Sequence, residues 1–350
     1  MKILYITCNF AYGGVEQYLL NIFDLINKDT YTPHVSIISN NKECEQEIEL
    51  HKRAIPVHAI RGGIMQKIKM LASLLKSQKY DIIHINGFGV SGAIWTMVAK
   101  IISSQSKIIV HSHTTRSDCK KNGLLKEVYK WISRMIFSSF SDCKAACSLE
   151  AAHFLFGKNA KDVKILNNGI NLAQFTTTKV NAAPHSFITI ARFSEEKNPF
   201  YIVQVIKELK DILPDVKLTW VGSGKLKTEV KSLAERLGLS DIIKFIGVRK
   251  DIAHLLTHHR YFILPSLYEG LGITFIEAQA AGCFCFASSG VPELADCGAM
   301  LRPSLTLSPS EYAKLIRDTI PCNKLADKRL TKFDIQYTVR ELEKLYQQLT

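Results

Sequence analysis

Several features that would assign this chain to a simple class are missing from its sequence. No apolar run reaches the roughly 18 residues that a membrane-spanning helix requires. The opening stretch, MKILYITC, carries one lysine and then a strand-like run that is too short for the core of a signal peptide. We therefore expect a globular protein that is not exported and stays in the cytoplasm.

The cysteines give no sign of a disulfide framework. They are nine, an odd number, and are scattered over 350 residues. Cys143 and Cys147 stand four positions apart, but no second Cys or His pair with the spacing of a zinc site lies nearby. The sequence therefore favours free, buried thiols.

Acidic residues are in deficit. The chain has 45 Lys and Arg against 32 Asp and Glu, a formal net charge of +13. Residues 1–172 hold 22 basic against 13 acidic residues, and the remainder holds 23 against 19. Such a surface suits nucleic acid, anionic lipid or phosphorylated substrates. Because no zinc finger, RNP-type run or basic zipper is present, we expect no nucleic-acid partner, and an anionic membrane surface is favoured.

Strand-like and helix-like segments alternate along the whole chain. This pattern predicts an α/β protein, and 350 residues exceed one ordinary core, so we expect two doubly wound, Rossmann-like domains. The predicted domains are 1–172 and 187–332, joined by a polar linker at 173–186. The final stretch, 333–350, has apolar residues at helical spacing and would pack on either domain. A ligand is expected in a central cleft, near the carboxyl ends of the strands.

A glycine pair follows the first predicted strand. Gly13 and Gly14, in the stretch AYGGVE, open a helix, and glycines let backbone amides approach an anion there. The stretch is not GxGxxG, so the dinucleotide fingerprint is absent. An anion-binding loop and a plain tight turn both remain open.

A second basic stretch, ARFSEEKNP, follows the first strand of the second domain. Arg192 has the geometry to bind phosphate oxygens with two nitrogens, and Lys197 adds a point charge five residues later. A solvated charge cluster is the alternative for these two residues.

The stretch YEGLGITFIEAQAAG carries the most specific pattern. Glu269 and Glu277 stand eight positions apart around a glycine-rich turn with Gly270 and Gly272. Those glycines free the amides of 271–273 to face an anion at a helix N-terminus. The two carboxylates would accept hydroxyl hydrogens from two separate polyols.

Histidines follow a strand of the first domain. His113 comes just past the strand at Lys107–His111, and a side chain there faces the predicted ligand site. His111 and His113 lack an evident third partner for a metal, and no convincing DxD-type motif is present, so we expect no metal.

Residues 120–137 interleave Lys and Arg with Leu, Tyr, Trp, Ile and Phe. This pattern is typical of a helix that lies on an anionic membrane surface. It is equally typical of an ordinary domain helix whose lysines lie on the solvent-exposed face.

Together, AYGGVE, ARFSEEKNP, FIGV, LPSLYEGLGITFIEAQAAG and GVPE resemble the family 4 retaining glycosyltransferases of the GT-B fold. The resemblance is closest to enzymes that build capsular, exopolysaccharide or lipopolysaccharide chains, and it covers essentially the whole chain. Its most specific element is the pair of glutamates, Glu269 and Glu277.

The resemblance implies a role for each site residue in binding a nucleotide-sugar. Glu269 would contact hydroxyls of the donor sugar, and Glu277 would hold the ribose. The backbone at Leu271, Gly272 and Ile273 would meet the sugar and its pyrophosphate, which Arg192 and Lys197 would neutralise.

The resemblance also implies contacts outside that group. Gly14 would let its loop close over the phosphates, His113 would reach the reaction centre, and Val248 would contact the base through its main chain. One departure is Asn86, where the family often has a second histidine. The family's last helix commonly crosses back to the first domain, and 333–350 would fit that.

The expected activity is metal-independent transfer of a hexose or N-acetylhexosamine, and the resemblance implies retention of the anomeric configuration. The donor would be a nucleotide-sugar, with UDP favoured, and the acceptor a lipid-linked or growing glycan. No cofactor is expected, and peripheral attachment to the inner face of the cell membrane is left open.

Two other interpretations also stay open. The first is another GT-B-like enzyme, such as a nucleotide-sugar epimerase, against which Glu269 and Glu277 argue. The second is a non-catalytic nucleotide-sugar-binding protein or an NAD(P) enzyme.

Overall fold

A computed structural model describes residues 1–8, 10, 14–40, 45–87, 89–113, 124–175, 182–319 and 327–350, with the backbone alone at 45, 46, 124–126, 327 and 328. The chain divides into two compact units. The N-terminal unit comprises Met1–Ile170 and Asp334–Thr350, and the C-terminal unit comprises Asn171–Phe333. Leu172–Phe175, at the start of the predicted linker, forms a 3-10 turn of the C-terminal unit, and 176–181 lie outside the described residues.

The N-terminal unit is built on a parallel sheet. Its strands in the described residues are β1 (Lys2–Thr7), β2 (Thr32–Ile38), β3 (Val57–Ile60), β4 (Ile82–Asn86), β5 (Lys107–Ser112), β6 (Cys143–Ala146) and β7 (Val163–Ile165). Their order in the sheet is β3-β2-β1-β4-β5-β6-β7. Because β1 lies between β2 and β4, the strand order reverses between β1 and β4.

Helices cover both faces of this sheet. They are α1 (Gly14–Leu25), α2 (Glu45–Lys52), α3 (Ile64–Ser77), α4 (Gly89–Ile102), α5 (Leu124–Phe140) and α6 (Leu149–Phe156). On β1, Ile3 and Tyr5 enter a core shared with α1, whereas Leu4 and Ile6 enter a second core shared with α3 and α4. This alternation explains why the central strands read as continuous apolar runs.

The C-terminal unit repeats the plan. Its strands are β8 (Ser186–Ile190), β9 (Lys217–Val221), β10 (Ile243–Gly247), β11 (Tyr261–Ile263), β12 (Phe284–Phe286) and β13 (Met300–Leu301), in the order β10-β9-β8-β11-β12-β13. Its helices in the described ranges are α7 (Pro199–Ile212), α8 (Lys227–Arg236), α9 (Ile252–Thr257), α10 (Ile273–Ala280), α11 (Pro309–Asp318) and α12 (Asp327–Leu330). The predicted α/β class with two parallel sheets is confirmed.

The last helix, α13 (Ile335–Leu349), belongs to the N-terminal unit. The backbone N–H of Ile335 donates to the carbonyl of Ile170 over 2.9 Å. Leu342 and Tyr346 of α13 are fully buried in the core that α1 also covers. The end of the chain therefore completes a core that its first strand begins.

Each sheet has one place where its strand order reverses, between β1 and β4 and between β8 and β11. In open parallel α/β sheets, ligands bind outside the carboxyl ends of the strands at such a point. The loops that follow these four strands are therefore the expected ligand-binding loops.

Candidate active site

A buried ion pair lies at the strand reversal of the C-terminal unit. Lys197 ends a 3-10 turn in the loop after β8, and Glu269 lies in the loop after β11. The ammonium Nζ lies 2.6 Å from Oε1 and 2.7 Å from Oε2 of the carboxylate. The two side chains are only 17% and 10% exposed, so water screens the pair weakly. Because β8 and β11 are neighbours, the pair joins the two loops where a ligand is expected.

The loop around Glu269 holds its carboxylate in place. The Ser266 hydroxyl donates to Oε1 over 2.7 Å, and the Glu269 N–H donates to the carbonyl of Gly290 over 3.1 Å. A Cβ on Gly290 would lie 2.2 Å from the carbonyl oxygen of Leu267. Only glycine therefore allows the GVPE loop to pack this closely against the loop that carries Glu269.

Arg192 lies in the same loop as Lys197 but is held loosely. Its side chain is 70% exposed, and its Nη2 lies 3.4 Å from Oε1 of Glu196. That carboxylate is also bound by the Ser194 hydroxyl. The structure thus brings Lys197 to Glu269, whereas the Arg192 guanidinium stays at the surface of the carboxyl edge of β8.

An uncapped helix N-terminus follows Glu269. Gly272, with φ of +81°, is the N-cap of α10, and no side chain caps this end. The first N–H groups of α10, including that of Ile273, have no acceptor within the helix. Leu271 is buried and Gly270 half-buried in the turn that leads to them. These amides and the helix dipole form an anion-binding end.

Glu277 lies in the second turn of α10 and is half-buried. Within the described residues its carboxyl has no hydrogen bond and no ion pair. Burial raises its pKa to about 7, since the charged form loses hydration that nothing replaces. A ligand that donates hydroxyl hydrogens would supply what the carboxylate lacks.

Two glycines after β9, Gly222 and Gly224, support the Arg192 loop, and the sequence did not predict this role. A Cβ on Gly222 would lie 2.0 Å from the carbonyl of Ala191, and one on Gly224 would lie 2.5 Å from that of Phe193. Between them, the Ser223 carbonyl accepts a hydrogen bond from the Phe193 N–H over 2.9 Å. The sequence signal for this role is the pattern Gly-Ser-Gly at the end of a predicted strand.

Val248 follows β10, which lies two strands from β8 in the sheet. Its side chain is 44% exposed, and Gly247 before it turns the chain with φ of +75°. The structure therefore places Val248 at the same edge as Lys197, but beyond the loop of β9.

In the N-terminal unit, His113 lies in the loop after β5. Its Nδ1 lies 3.0 Å from Oδ1 of Asn168, and its Nε2 lies 2.9 Å from Oδ1 of Asn86, at the end of β4. Burial lowers its pKa to about 4, so the imidazole is neutral near pH 7. Asn86, where the resemblance would place a second histidine, instead holds the ring of His113.

Gly14, the first residue of α1, lies just past β1 at the same sheet edge and is exposed. Gly13 falls outside the described residues. Helix α5 begins at Leu124, so the first part of the predicted basic helix at 120–137 also falls outside them.

Two properties of the described ranges concern ligands and membranes. No group of three or more His, Cys, Asp or Glu in these ranges is placed to hold a metal ion. In the same ranges, no helix has the length and apolar character needed to cross a bilayer.

Two family models match the chain in succession. The one described as Glycosyltransferase Family 4 matches residues 12–174, and the one described as Glycosyl transferases group 1 matches residues 173–326. Together they span almost the whole chain.

Similar proteins match over most of their length. The capsular polysaccharide biosynthesis glycosyltransferase CapH of Staphylococcus aureus is 25% identical over 362 residues, which cover 100% of this chain and 99% of CapH. The UDP-Gal:alpha-D-GlcNAc-diphosphoundecaprenol alpha-1,3-galactosyltransferase of Escherichia coli is 24% identical over 315 residues, which cover 83% and 79%.

Among solved structures, Anabaena Alr3699/HepE in complex with UDP and glucose matches with a TM-score of 0.81 at 18% identity. The match covers 99% of this chain and 100% of that chain. At this identity the likeness shows a shared fold.

Proposed function

Because the chain belongs to glycosyltransferase family 4 and has the GT-B fold, we propose that it transfers a hexose or N-acetylhexosamine from a UDP-sugar, with retention, to a lipid-linked or growing polysaccharide acceptor. The observation that carries this proposal is the Lys197–Glu269 pair beside the uncapped N-terminus of α10. A cation, a carboxylate and a helix N-terminus together suit a sugar joined to a diphosphate.

The donor's diphosphate is assigned to Lys197, Arg192 and the amides that begin α10. Breaking the anomeric bond builds negative charge on the leaving diphosphate, and preorganised positive groups stabilise that charge. A divalent metal supplies this charge in other transferases, whereas here the two side chains and the helix dipole supply it. The transfer is therefore proposed to need no metal.

Glu277 is assigned to the ribose. Its unpaired carboxyl, with a pKa raised to about 7 by burial, gains most from a ligand that donates two hydroxyl hydrogens. The main chain at Val248, at the same sheet edge, is assigned to the base.

Glu269 is assigned to the sugar hydroxyls. Lys197 and Ser266 both donate to its carboxylate, and these bonds lower its reactivity as a nucleophile. It therefore suits binding hydroxyls and stabilising positive charge on the sugar ring. This supports same-face attack by the acceptor hydroxyl as UDP leaves, which retains the anomeric configuration.

The nucleotide and the acceptor are inferred from similar proteins. HepE was solved with UDP and glucose, and the Escherichia coli relative is named for transfer from UDP-Gal to a sugar on diphosphoundecaprenol. CapH is named for capsular polysaccharide biosynthesis. These names support UDP as the donor nucleotide and a lipid-linked glycan as the acceptor.

A membrane partner is supported by exposed apolar side chains on adjacent helices. Helix α4 packs against both α3 and α5. We call the outer surface of these helices the apolar-basic face, and its exposed apolar residues are Ile64, Met65, Met70, Val90, Ile101, Val128, Tyr129, Trp131, Ile132 and Met135. Helices α3 and α4 contain no Asp or Glu. An anionic bilayer matches this face, with aromatic side chains at the lipid interface.

Incubation with UDP-glucose, UDP-galactose, UDP-GlcNAc and UDP-GalNAc, with and without a polyprenyl-diphosphate-linked sugar, tests the activity. We expect acceptor-dependent UDP release and an α-linked product by NMR. Formation of an epimer from donor alone would instead indicate an epimerase, and binding without turnover a non-catalytic protein. If no donor gives either UDP release or UDP binding, the proposal is overturned.

A further inference from the structure

A line of hydrogen-bonded aromatic side chains crosses the core of the N-terminal unit. The hydroxyls of Tyr5 on β1 and Tyr346 on α13 lie 2.8 Å apart. The Tyr346 hydroxyl also lies 2.8 Å from Nδ1 of His84 on β4. Nε2 of His84 lies 3.1 Å from Nδ1 of His111 on β5. All four side chains are at most 1% exposed.

The line ends against His113. The rings of His111 and His113 are in contact, with centroids 4.0 Å apart. Tyr18 on α1 packs against both rings, with centroids 6.1 Å and 5.5 Å away. A residue near the end of the chain is therefore connected by side chains to the histidine at the carboxyl edge of β5.

The imidazoles in this line are neutral. Burial lowers the pKa of His84 to about 3 and that of His113 to about 4, and it also lowers the pKa of His111 well below its ordinary value. Each ring therefore carries one N–H, and His84, which is bonded at both nitrogens, donates with one and accepts with the other.

That rule leaves two orientations for the whole line. In one, Tyr5 donates to Tyr346, Tyr346 donates to His84, and His84 donates to His111. The Nε2–H of His111 then has no partner of normal hydrogen-bond geometry within the described residues, but the Leu166 backbone interacts with this ring and raises its pKa, as an acceptor does. In the reverse orientation, Nε2 of His111 is again unpaired, and the Tyr5 hydroxyl hydrogen also loses its acceptor.

Each orientation leaves one buried hydrogen at an end of the line, on His111 in the first and on Tyr5 in the second. The Leu166 backbone carbonyl is an acceptor beside the His111 ring. Because an unpaired buried hydrogen is costly, this acceptor favours the first orientation. In it both His84 and His111 carry their hydrogen on Nε2. The Tyr346 hydroxyl decides this, because it is the only donor to Nδ1 of His84 in the described residues.

We propose that Tyr346 is a positioning residue for sugar transfer: it fixes the tautomers of His84 and His111 and thereby the electric field that acts on the His113 ring. The family resemblance implies that His113 reaches the reaction centre, and this role rests on the proposed function. A neutral imidazole has a dipole that points from its bare nitrogen to its N–H. A tautomer change in His111 therefore reverses a field that acts on His113 at ring-contact distance.

Tyr346→Phe tests the proposal, because it removes the hydroxyl and keeps the ring. The matched control is Tyr31→Phe. The ring of Tyr31 lies 5.8 Å from that of Tyr346, and its hydroxyl donates to the carbonyl of Glu343 rather than to the histidines. Histidine ¹⁵N NMR, kcat, the KM for the UDP-sugar and UDP affinity are measured for both variants.

In the unmodified protein we expect single Nε2–H tautomers for His84 and His111. In Tyr346→Phe we expect a tautomer mixture at His84 and a fall in kcat of about tenfold, the equivalent of one hydrogen bond, with UDP affinity unchanged. Tyr31→Phe is expected to keep both the tautomers and kcat.

Nδ1–H tautomers in the unmodified protein would overturn the proposal even if the variant failed to fold. Unchanged tautomers or an unchanged kcat in a folded Tyr346→Phe protein would also overturn it. Absence of transfer by the unmodified protein would overturn the proposed function and, with it, the role of Tyr346 in transfer. The NMR tautomers of His84 and His111 would still show which orientation the hydrogen-bonded line adopts.

Discussion

The ammonium of Lys197 contacts both carboxylate oxygens of Glu269, although the two residues are 72 positions apart in the chain. The pair holds a positive and a negative group side by side at the reversal of the strand order. A UDP-sugar needs both, the cation for its diphosphate and the carboxylate for its hydroxyls.

Replacing Lys197 by methionine is expected to reduce kcat by about 10² to 10³-fold, because it removes a preorganised donor to the leaving diphosphate. It also leaves the partly buried carboxylate of Glu269 without its cationic partner, so Tm should fall at pH 8. The measurements are initial rates of UDP release and thermal unfolding.

The double variant Lys197→Met/Glu269→Gln separates these effects. It should regain much of the lost Tm and remain inactive. Lys207→Met, at an exposed lysine of the same unit, is the control and should change neither property. Near-normal kcat in Lys197→Met would contradict the assigned role.

Glu277 predicts a pH dependence of nucleotide binding. Its pKa of about 7 means that the carboxyl loses its proton between about pH 6 and 8, and the ionised form accepts two ribose hydroxyls. UDP affinity should therefore rise with pH across that interval, with proton release on binding. Titration calorimetry in buffers of different ionisation enthalpy measures both.

Glu277→Gln should show weak UDP binding with little pH dependence. Its thermal stability relative to the unmodified protein should also depend on pH. Between the ordinary pKa of 4.5 and about 7, the folded protein keeps a proton that the unfolded chain has released. This residue's contribution to stability therefore falls as pH rises through that interval. The Tm of Glu277→Gln relative to the unmodified protein should be higher at pH 8 than at pH 5. An equal difference at both pH values would contradict the raised pKa.

Gly290→Ala tests the packing behind Glu269. The added Cβ would lie 2.2 Å from the carbonyl oxygen of Leu267, so the loop must move, at a cost of about 1–3 kcal/mol. We expect a lower Tm and weaker donor binding. Gly63→Ala is the control, since its Cβ would meet no atom within 4 Å. Equal behaviour of the two variants would show that this packing does not position Glu269.

The apolar-basic face predicts binding to anionic vesicles. Trp131 and Tyr129 are 61% and 52% exposed, and their removal should reduce co-sedimentation with phosphatidylglycerol vesicles by about tenfold. Tyr337→Ala removes a comparably exposed aromatic from α13 and should change nothing. Binding to neutral phosphatidylcholine should be weaker, and salt should reduce binding to the anionic vesicles. Equal binding by Trp131→Ala and the unmodified protein would contradict the assignment.

Metal removal is expected to leave transfer unchanged. In the proposed site, Arg192, Lys197 and the N-terminus of α10 would carry the charge opposite the diphosphate, so UDP release should proceed at the same rate in EDTA. A rate that EDTA abolishes and Mg²⁺ or Mn²⁺ restores would contradict this.

Long, periodic segments of the fold were predictable from the sequence. The regular spacing of apolar residues predicts a helix over Ile64–Ser77, and α3 has those bounds. The sequence did not predict strands β3 and β13 or helices α2, α6, α9, α11 and α12. Strand β3 spans only four residues, Val57–Ile60, and is only partly buried, so its apolar signal is weak. Helix α11 did carry a sequence signal, a capping box formed by Ser308 and Glu311.

The site was predictable as a set of residues but less so as a geometry. The glycine pattern indicated the anion-binding turn before α10, whose N-cap is Gly272. The contact of Lys197 with Glu269 depends on β8 lying next to β11, which one sequence does not reveal. For the same reason Asn86 appeared only as a departure from the family, whereas the structure shows it bound to His113.

The position of α13 has a consequence for how the protein is made. The N-terminal unit begins with β1, yet part of its core comes from Leu342 and Tyr346, near the end of the chain. During synthesis, domains generally fold in order from the N-terminus. Here the first unit stays unfinished until α13 has been synthesised, while the unit encoded in the middle has all of its chain earlier. A nascent chain that stops before Asp334 would expose the apolar side chains of β1 and α1 that α13 covers. Chaperones bind exposed apolar surface of this kind.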